Sequence, residues 1–353
     1  MSKRNKRNKL RRSLTALSIV LGIILAVMLA ATVYAEFLLG KMNYLDPFAT
    51  EPSLSQSQID ELLSKLESED EEDPDFDGPD INEEDVDLGG SRPLIEDSDN
   101  VINILLVGAD RRSSERARSD SMILCTFNKT QGTISMTSFM RDMYVQIPGY
   151  RDNRINAAYP IGGMALLNET LRHNFGIHLD GIVEIDFARF EDLIDMLGGI
   201  ELELTGAEAE YINKKSDSWL HPGLQRLNGE QALWYSRCRK VGGDGDFGRT
   251  NRQRILLGKL LDEYKNKSML ELLGLMDDIL PMVTTNMTKS EILTCAKDLF
   301  PMLAAAEITT NRIPVDGAYS HARIRGMAVL LPDIDKNIDV LKTILSEYPK
   351  GVG

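Results

Sequence analysis

Cysteine and histidine are scarce in this 353-residue chain, at three and four positions, and the scarcity removes several chemistries at once. Cys125, Cys238 and Cys295 form no CxxC and no Cys/His metal spacing, so neither a zinc site nor a disulfide framework is written here. Cys125 falls in an apolar strand pattern and Cys295 in a helical one, and both read as small core residues. His173, His178, His221 and His321 are scattered. The chain also lacks a GxSxG elbow, an SxxK pair, an HExxH helix and a Walker A loop. No protein nucleophile, zinc-hydrolase centre or P-loop is therefore evident. A basic surface is missing too: formal net charge is −14, and the basic clusters lack interleaved aromatics, which disfavours nucleic acid as a partner.

The charge that is present is segregated. Residues 1–12 carry seven Lys/Arg and no acid, and residues 46–99 carry twenty Asp/Glu against Lys65 and Arg92. From Asn100 onward 33 acidic residues face 30 basic ones. Residues 13–35, SLTALSIVLGIILAVMLAATVYA, are uncharged over 23 positions, enough to cross a ~30 Å hydrocarbon core as a helix. The basic tail 1–12 predicts a cytoplasmic N-terminus. A cleaved signal peptide is the competing reading, with AATVYA as a small-residue cleavage site. Its apolar region usually runs ~7–15 residues, so length favours an uncleaved transmembrane signal anchor over 13–38. The acidic stretch 39–99 has few large apolar residues and predicts a mostly disordered linker lifting a domain off the membrane. SLSQSQIDELLSKLE within it could form a short amphipathic helix.

The folded domain is expected over 100–346. VINILLVGAD is a continuous apolar run, the pattern of a strand buried on both faces. SMILCTFN and GTISMTSFM read as two more strands separated by an NKTQG turn. AAYPIGGMALLNETLRHNFG predicts a helix stopped by Gly176, and VEIDFARFEDLIDMLGGIELEL a strand, a helix, a Gly-Gly stop and a strand. Helices follow near 229–236, 249–265, 270–280 and 288–303, then a strand near 308–313 and a helix near 333–346. Alternating strands and helices imply an α/β fold, an α/β/α sandwich around one mixed central sheet.

Three clusters carry chemistry. In ADRRSSERARSDS, Asp110 ends a central strand and Arg118 and Asp120 lead into the next. Ligands of open α/β sheets bind at carboxyl ends of strands, and two carboxylates brought together there suit a hard cation such as Mg²⁺; a solvated loop with surface ion pairs fits the same residues. In FMRDMYVQIPGYRDNRINAAYP, Arg141-Asp142 directly follows an apolar strand and Arg154 lies in a loop leading to a helix. A charge at a buried strand end is usually paired or ligand-binding, whereas Arg154 could equally be a surface arginine. In SRCRKVGGDGDFGRTNRQR, Arg237 and Arg239 alternate in what reads as an extended segment. Arg249, Arg252 and Gln253 share a helix face with Leu256 and Leu260, while Arg254 points the other way and reads as a surface charge. Asp244 and Asp246 read as turn and cap residues. Arginine forks and a helix N-terminus suit phosphate, and arginines with paired carboxylates suit phosphoryl transfer by charge neutralisation.

These blocks, NILLVGADRR…RSDSMIL, SFMRDMYVQIPG…NRINAAYPIGG, VEIDFARFEDLIDMLGGI, LNGEQALWYSRCRK and GDFGRTNRQ in that order, resemble the LytR-CpsA-Psr family over about residues 100–345. The resemblance implies a membrane-anchored, Mg²⁺- (or Mn²⁺-) dependent phosphotransferase facing the outside of the cell. It would move an anionic glycopolymer such as teichoic acid or capsule from an undecaprenyl-pyrophosphate carrier to the C6 hydroxyl of N-acetylmuramic acid in peptidoglycan. The family's metal-linked aspartates fall on Asp110 and Asp120, which act with Arg118 in catalysis. Its pyrophosphate-binding residues fall on Arg118, Arg141, Arg237, Arg239, Arg249 and Gln253. Arg154 stands where the family usually has lysine, and RCRK stands for the usual RHRK. Two other readings remain: hydrolysis of polyprenyl pyrophosphate with water as acceptor, and a non-catalytic envelope module, against which the complete Asp/Arg set speaks.

Overall fold

A computed structural model describes residues 34–45, 54–68, 76, 78–96, 98–110, 118–239, 241–243, 245–265, 269–303 and 305–346. The expected basic tail and nearly all of the expected membrane span lie outside the described residues. Among the described residues no helix is long and apolar enough to cross a membrane.

The central sheet has seven strands in the order Asn43–Tyr44 (β1), Val283–Thr285 (β10), Gly181–Asp186 (β7), Val101–Asp110 (β2), Arg118–Asn128 (β3), Thr133–Phe139 (β4) and Glu307–Ile313 (β11). It is mixed: β2 runs parallel to β7 and β4 to β11, while β2–β3, β3–β4 and β7–β10 are antiparallel. Helices cover both faces. Leu105, Val107 and Ala109 of β2 point into the main core, with residues of the helices Gln56–Ser68 (α1), Ala158–Phe175 (α2) and Ile334–Leu345 (α9). Ile102 and Ile104 point the other way, against Ile292, Cys295 and Leu299 of Lys289–Leu303 (α8). Leu257 and Leu261 of Gly245–Tyr264 (α6) cover Ile123, Cys125 and Met136 on that second face. A strand buried on both sides loses its alternation, which is why VINILLVGAD reads as one apolar run.

Three two-stranded antiparallel pairs decorate the sheet. Tyr144–Val145 (β5) pairs with Asn153–Arg154 (β6), Ile200–Leu204 (β8) with Gly223–Leu227 (β9), and Tyr319–Ile324 (β12) with Met327–Pro332 (β13). The β8–β9 pair, whose strands are joined through Gly206–Ser216 (α4), shares a core with that helix, Phe187–Met196 (α3) and Gly229–Arg237 (α5). A further helix, Met269–Ile279 (α7), precedes β10. Helix α2 ends at Gly176, whose φ of 67° is left-handed and where a Cβ would come within 2.1 Å of the Pro93 carbonyl oxygen. Its start departs from the expected regular helix, because Gly162 and Gly163 break it.

The acidic stretch is less detached than its composition predicts. Ile59 and Leu63 of α1 and Ile95 belong to the main core, and Leu88 packs with the β12–β13 hairpin. The amides of Arg92 and Ile95 donate to the carbonyls of His173 and Gly176. Where it is described, the segment expected to be a spacer is therefore partly an outer layer of the domain. Its few apolar residues are well placed, and window averages over so many acids hide them. Residues 46–53 and 69–75 lie outside the described residues.

Candidate active site

The carboxyl end of β2 is where charge collects. Gly108 pairs with Ser121 but Ala109 with Ser119, so Asp120 is the residue that a β-bulge leaves out of the ladder. Bulges re-aim side chains in this way. The backbones of Asp110 and Arg118 face each other in register at the end of the β2–β3 pair where β2 ends and β3 begins; their side chains lie outside the described residues.

Arg141, two residues beyond the end of β4, is buried and donates from Nη1 to Asp120 Oδ1 at 3.0 Å. Its Nε lies 3.4 Å from Asp142 and 3.6 Å from Asp246. Asp142 also receives Arg154 Nη1 at 3.5 Å, and Arg154 is buried, so its surface reading is wrong. Burial alone would raise the Asp120 carboxyl, but Arg141, Arg249 and Arg239 outweigh it and hold the group below the usual carboxylate range. For Asp142 the same opposition of burial by Arg141, Arg154, Arg249 and Arg239 ends the same way.

The glycine-rich turn delivers the rest. Arg237 is the last residue of α5 and Cys238 its C-cap, so the two arginines do not alternate along a strand as expected. Arg237 stacks 5.1 Å from the ring centroid of Phe187 and 5.8 Å from that of Trp234. Phe187 directly follows β7 and lies against Gly108 of β2, where a Cβ would meet the ring at 3.4 Å. Arg239 reaches within 3.7 Å of Asp246. Arg252 holds this turn in place: it donates to Glu208 Oε1 at 2.7 Å, to the Cys238 carbonyl at 3.1 Å and to the Val241 carbonyl at 2.9 Å. Glu208 in turn closes the capping box of α4 with Thr205, so a helix cap anchors the loop that carries Arg239. Gln253 Nε2 lies 3.4 Å from the Ser236 carbonyl and ties α6 to the end of α5.

Residues 243–248, GDGDFG, do spell a G-x-G-x-x-G string. They follow a helix and a turn rather than a strand, so the dinucleotide fingerprint, which needs strand–turn–helix, is not formed.

Asp246 and Arg249, in the first turns of α6, show the least complete pairing. Arg249 Nη2 is 2.8 Å from Asp246 Oδ1, yet its N–H is not aimed there. Both Asp246 carboxylate oxygens are buried and accept no hydrogen bond, and Nε and Nη2 of Arg249 donate none. Burial pushes the Arg249 guanidinium down to about 10; Asp246 and Asp120 oppose this, and Arg141 and Arg239 add to it. Each buried orphan group of this kind costs on the order of 1–3 kcal/mol. Asp246, read as a cap in the sequence, is thus a member of the cluster that sequence reasoning missed. Its place one helical turn before Arg249 was the available signal.

Four arginines (141, 154, 239 and 249) and three aspartates (120, 142 and 246) thus converge in one charged cluster. Among the described residues no group of three His, Cys, Asp or Glu stands ready-made around a metal position. The donor set still fits a hard divalent cation, being all carboxylate, with unfilled oxygens on Asp246.

Arg254 corrects the sequence reading: it is buried rather than exposed. The first half of α6 is enclosed nearly all round, so a single buried face was the wrong expectation.

Comparison with known proteins shows the family and the fold. The LytR_cpsA_psr family model matches residues 57–344, including the α1 helix before the expected domain start. The chain is 32% identical over 225 residues to "Regulatory protein MsrR" of Staphylococcus aureus, covering 63% of this chain and 67% of that one. It is 33% identical over 211 residues to "Polyisoprenyl-teichoic acid--peptidoglycan teichoic acid transferase TagT" of Bacillus subtilis, covering 58% and 64%. A solved structure of TagT bound to LIIa-WTA superposes with a TM-score of 0.59 at 26% identity, over 73% of this chain and 95% of that one. A second, of TagT with bound octaprenyl pyrophosphate lipid, gives 0.55 at 25% identity over 72% and 94%.

Proposed function

The chain belongs to the LytR-CpsA-Psr family, and on that premise we propose that it transfers an anionic glycopolymer from an undecaprenyl-pyrophosphate carrier to peptidoglycan. The observation that carries the reading is the buried guanidinium of Arg249, with donors that no acceptor fills, beside Arg141, Arg154 and Arg239. A folded protein keeps such donors unfilled at a cost, and a pyrophosphate supplies the missing acceptors. TagT relatives carrying a teichoic-acid or polyprenyl-pyrophosphate ligand support the choice of donor.

In this reading Arg118, Arg141, Arg154, Arg237, Arg239 and Arg249 hold the pyrophosphate. The acceptor hydroxyl, the C6 hydroxyl of N-acetylmuramic acid, attacks the phosphorus that bears the sugar. A new O–P bond forms, the bridging P–O bond breaks, and its electron pair leaves on undecaprenyl phosphate. The arginines stabilise the charge gathering on that leaving oxygen. The hydroxyl proton passes to a carboxylate of the cluster. Asp110 and Asp120, with the unfilled oxygens of Asp246, would hold Mg²⁺ or Mn²⁺, which when bound neutralises phosphate oxygens. The Arg252–Glu208 pair keeps Arg239 facing the cluster. The anchor 13–38 would keep the domain on the outer face of the plasma membrane, within reach of a lipid-linked donor.

The test is transfer of labelled polymer from a polyprenyl-pyrophosphate donor to a peptidoglycan oligomer. Product carrying polymer, phosphate and muramyl sugar is expected, and Arg141→Gln should abolish it. Release of phosphorylated polymer without muramyl sugar would identify water as the acceptor. No turnover with either acceptor would leave a binding module.

A further inference from the structure

A second unfilled guanidinium lies farther along the same helix. Arg254 is 7% exposed, and its Nε and Nη1 are buried with no hydrogen-bond partner. Nη2 makes one long contact, 3.4 Å, to Asn251 Oδ1 on its own helix. Among the described residues no carboxylate lies within ion-pairing distance of it. The charge that acts on it is another cation, Arg312, and burial together with Arg312 pushes the Arg254 guanidinium down to about 10. Arg312 is itself occupied: it pairs with Asp316, donates to the Pro314 carbonyl at 3.2 Å and stacks 4.4 Å from the Phe247 ring centroid.

Arg254 lines a cavity of about 410 Å³ between α6 and β11. Lys259 and Lys265 stand at the same cavity, with Asn251 and Thr310 as further polar groups. The one carboxylate there, Asp262, is bonded to Lys265 at 2.7 Å. Three cations therefore face one acid that is already taken. Lys259 has no ion pair among the described residues. A cation buried without a counter-charge is costly, and a fork of five donors beside a polar, cationic opening has the geometry of an oxyanion receptor.

We propose that this cavity is a second oxyanion site, which takes a phosphodiester group of the anionic polymer while the arginine cluster at the start of α6 holds the pyrophosphate. The polymer as source rests on the transferase reading; the oxyanion site does not. Arg254 follows Arg249 by five residues, about 7.5 Å along the helix axis and about 140° around it. A polymer that leaves the arginine cluster along α6 and turns about the helix would meet this cavity next. The site would grip a chain that repeats phosphate and let go of a neutral one, which makes it a determinant of polymer class.

The test uses the full chain in detergent with a polyprenyl pyrophosphate filling the arginine cluster. A short oligo(glycerol phosphate) and inorganic phosphate are then titrated by calorimetry. The oligomer should bind more tightly than inorganic phosphate. Arg254→Gln should weaken it about tenfold or more, the loss expected for charge-assisted bonds to one phosphate. Lys259→Gln, at the exposed rim, should weaken it by a smaller factor and make binding less salt-dependent. Wild-type oligomer affinity in folded Arg254→Gln overturns the proposal; if that variant does not fold, unchanged affinity and salt dependence in Lys259→Gln overturns it. Equal affinity for inorganic phosphate and oligomer overturns the polymer assignment. Failure of the transferase reading is visible separately, as failure of the polyprenyl pyrophosphate to bind at all.

Discussion

Replacing Arg249 by methionine should separate stability from function. The side chain is 3% exposed. A guanidinium brought from 12.5 to about 10 is held on the order of 3 kcal/mol from its preferred charged state, at about 1.4 kcal/mol for each tenfold change in proton affinity. Methionine has similar length, no charge and no donors to leave unfilled. Its main liability is Asp246, which loses a neighbour at 2.8 Å but keeps Arg141 at 3.6 Å and Arg239 at 3.7 Å; Asp120 and Asp142 also lose the charge of Arg249 but keep those of Arg141 and Arg239. The net change in unliganded stability should therefore be small or favourable, within a few degrees in Tm for a domain of this size. Binding should behave in the opposite sense. Saturating wild type with inorganic pyrophosphate at about 100 times its Kd adds about 2.7 kcal/mol, roughly 5–10 °C. In Arg249→Met that shift should all but vanish, and transfer should fall about 10²–10³-fold, as for loss of one preorganised donor group. Differential scanning fluorimetry with and without pyrophosphate, beside the transfer assay, gives both numbers. A variant that melts well below wild type yet transfers normally would show Arg249 to be a structural ion pair and would refute the reasoning.

Arg252→Met should behave differently: it strands Glu208 in a buried place and should cost about 3–5 kcal/mol, while the freed 238–241 turn lowers transfer. Adding Glu208→Gln, which keeps the Thr205 cap, should recover melting temperature but not transfer, as scored by paired melting and activity assays. Asp120 and Asp142 have folded-state carboxyls held below their ordinary range, so they add stability above the unfolded value of about 3.9 and lose it as pH falls through the folded value. The melting temperature should hold from neutral to about pH 4 and drop below it, with a shallower drop in Asp142→Asn; an equally steep drop in that variant would sink the assignment. Leu63→Ala, in the acidic segment, should cost about 2–5 kcal/mol, read by urea unfolding, whereas a tethering spacer would show no change.

The fold was legible because its strongest signals are periodic and long. β2, β3 and β4, the α2 stop at Gly176, α3 and the helices from 229 onward all lie within a few residues of where the pattern puts them. The short pieces were not. In β9, GLQRL, only Leu227 is buried, so the strand gains little from burial and gives no apolar alternation to read. α4 is held by its capping box and a small core, and its charged outer face masks the buried Ala209 and Ile212. The arginines of the site were legible as residue types beside strand ends, and Arg141, Arg154, Arg239 and Arg249 do converge. What spacing could not say is which cations lack partners. That depends on side-chain aim across elements far apart in sequence, as between Asp246 and Arg141.

The unfilled groups also have a pattern. Asp246, Arg249 and Arg254 alone contribute six buried polar atoms without a hydrogen-bond partner, two each, and all three lie in the first ten residues of α6. At on the order of 1–3 kcal/mol per group, the N-terminal half of this helix opposes its own burial. It is kept in place from its other half, where Leu256 joins the β8–β9 core and Leu257 and Leu261 pack against the sheet, and by Arg252, each of whose three nitrogens donates a hydrogen bond. Arg252 sits between Arg249 and Arg254 on the same helix with the same side chain, equally buried, and it is satisfied where they are not. Burial of arginine on α6 is therefore not in itself the reason for missing partners. The chain supplies acceptors for the arginine that positions a loop and withholds them from Arg249, in the charged cluster, and from Arg254, which lines a cavity. That is the distribution expected if the remaining acceptors arrive with phosphate.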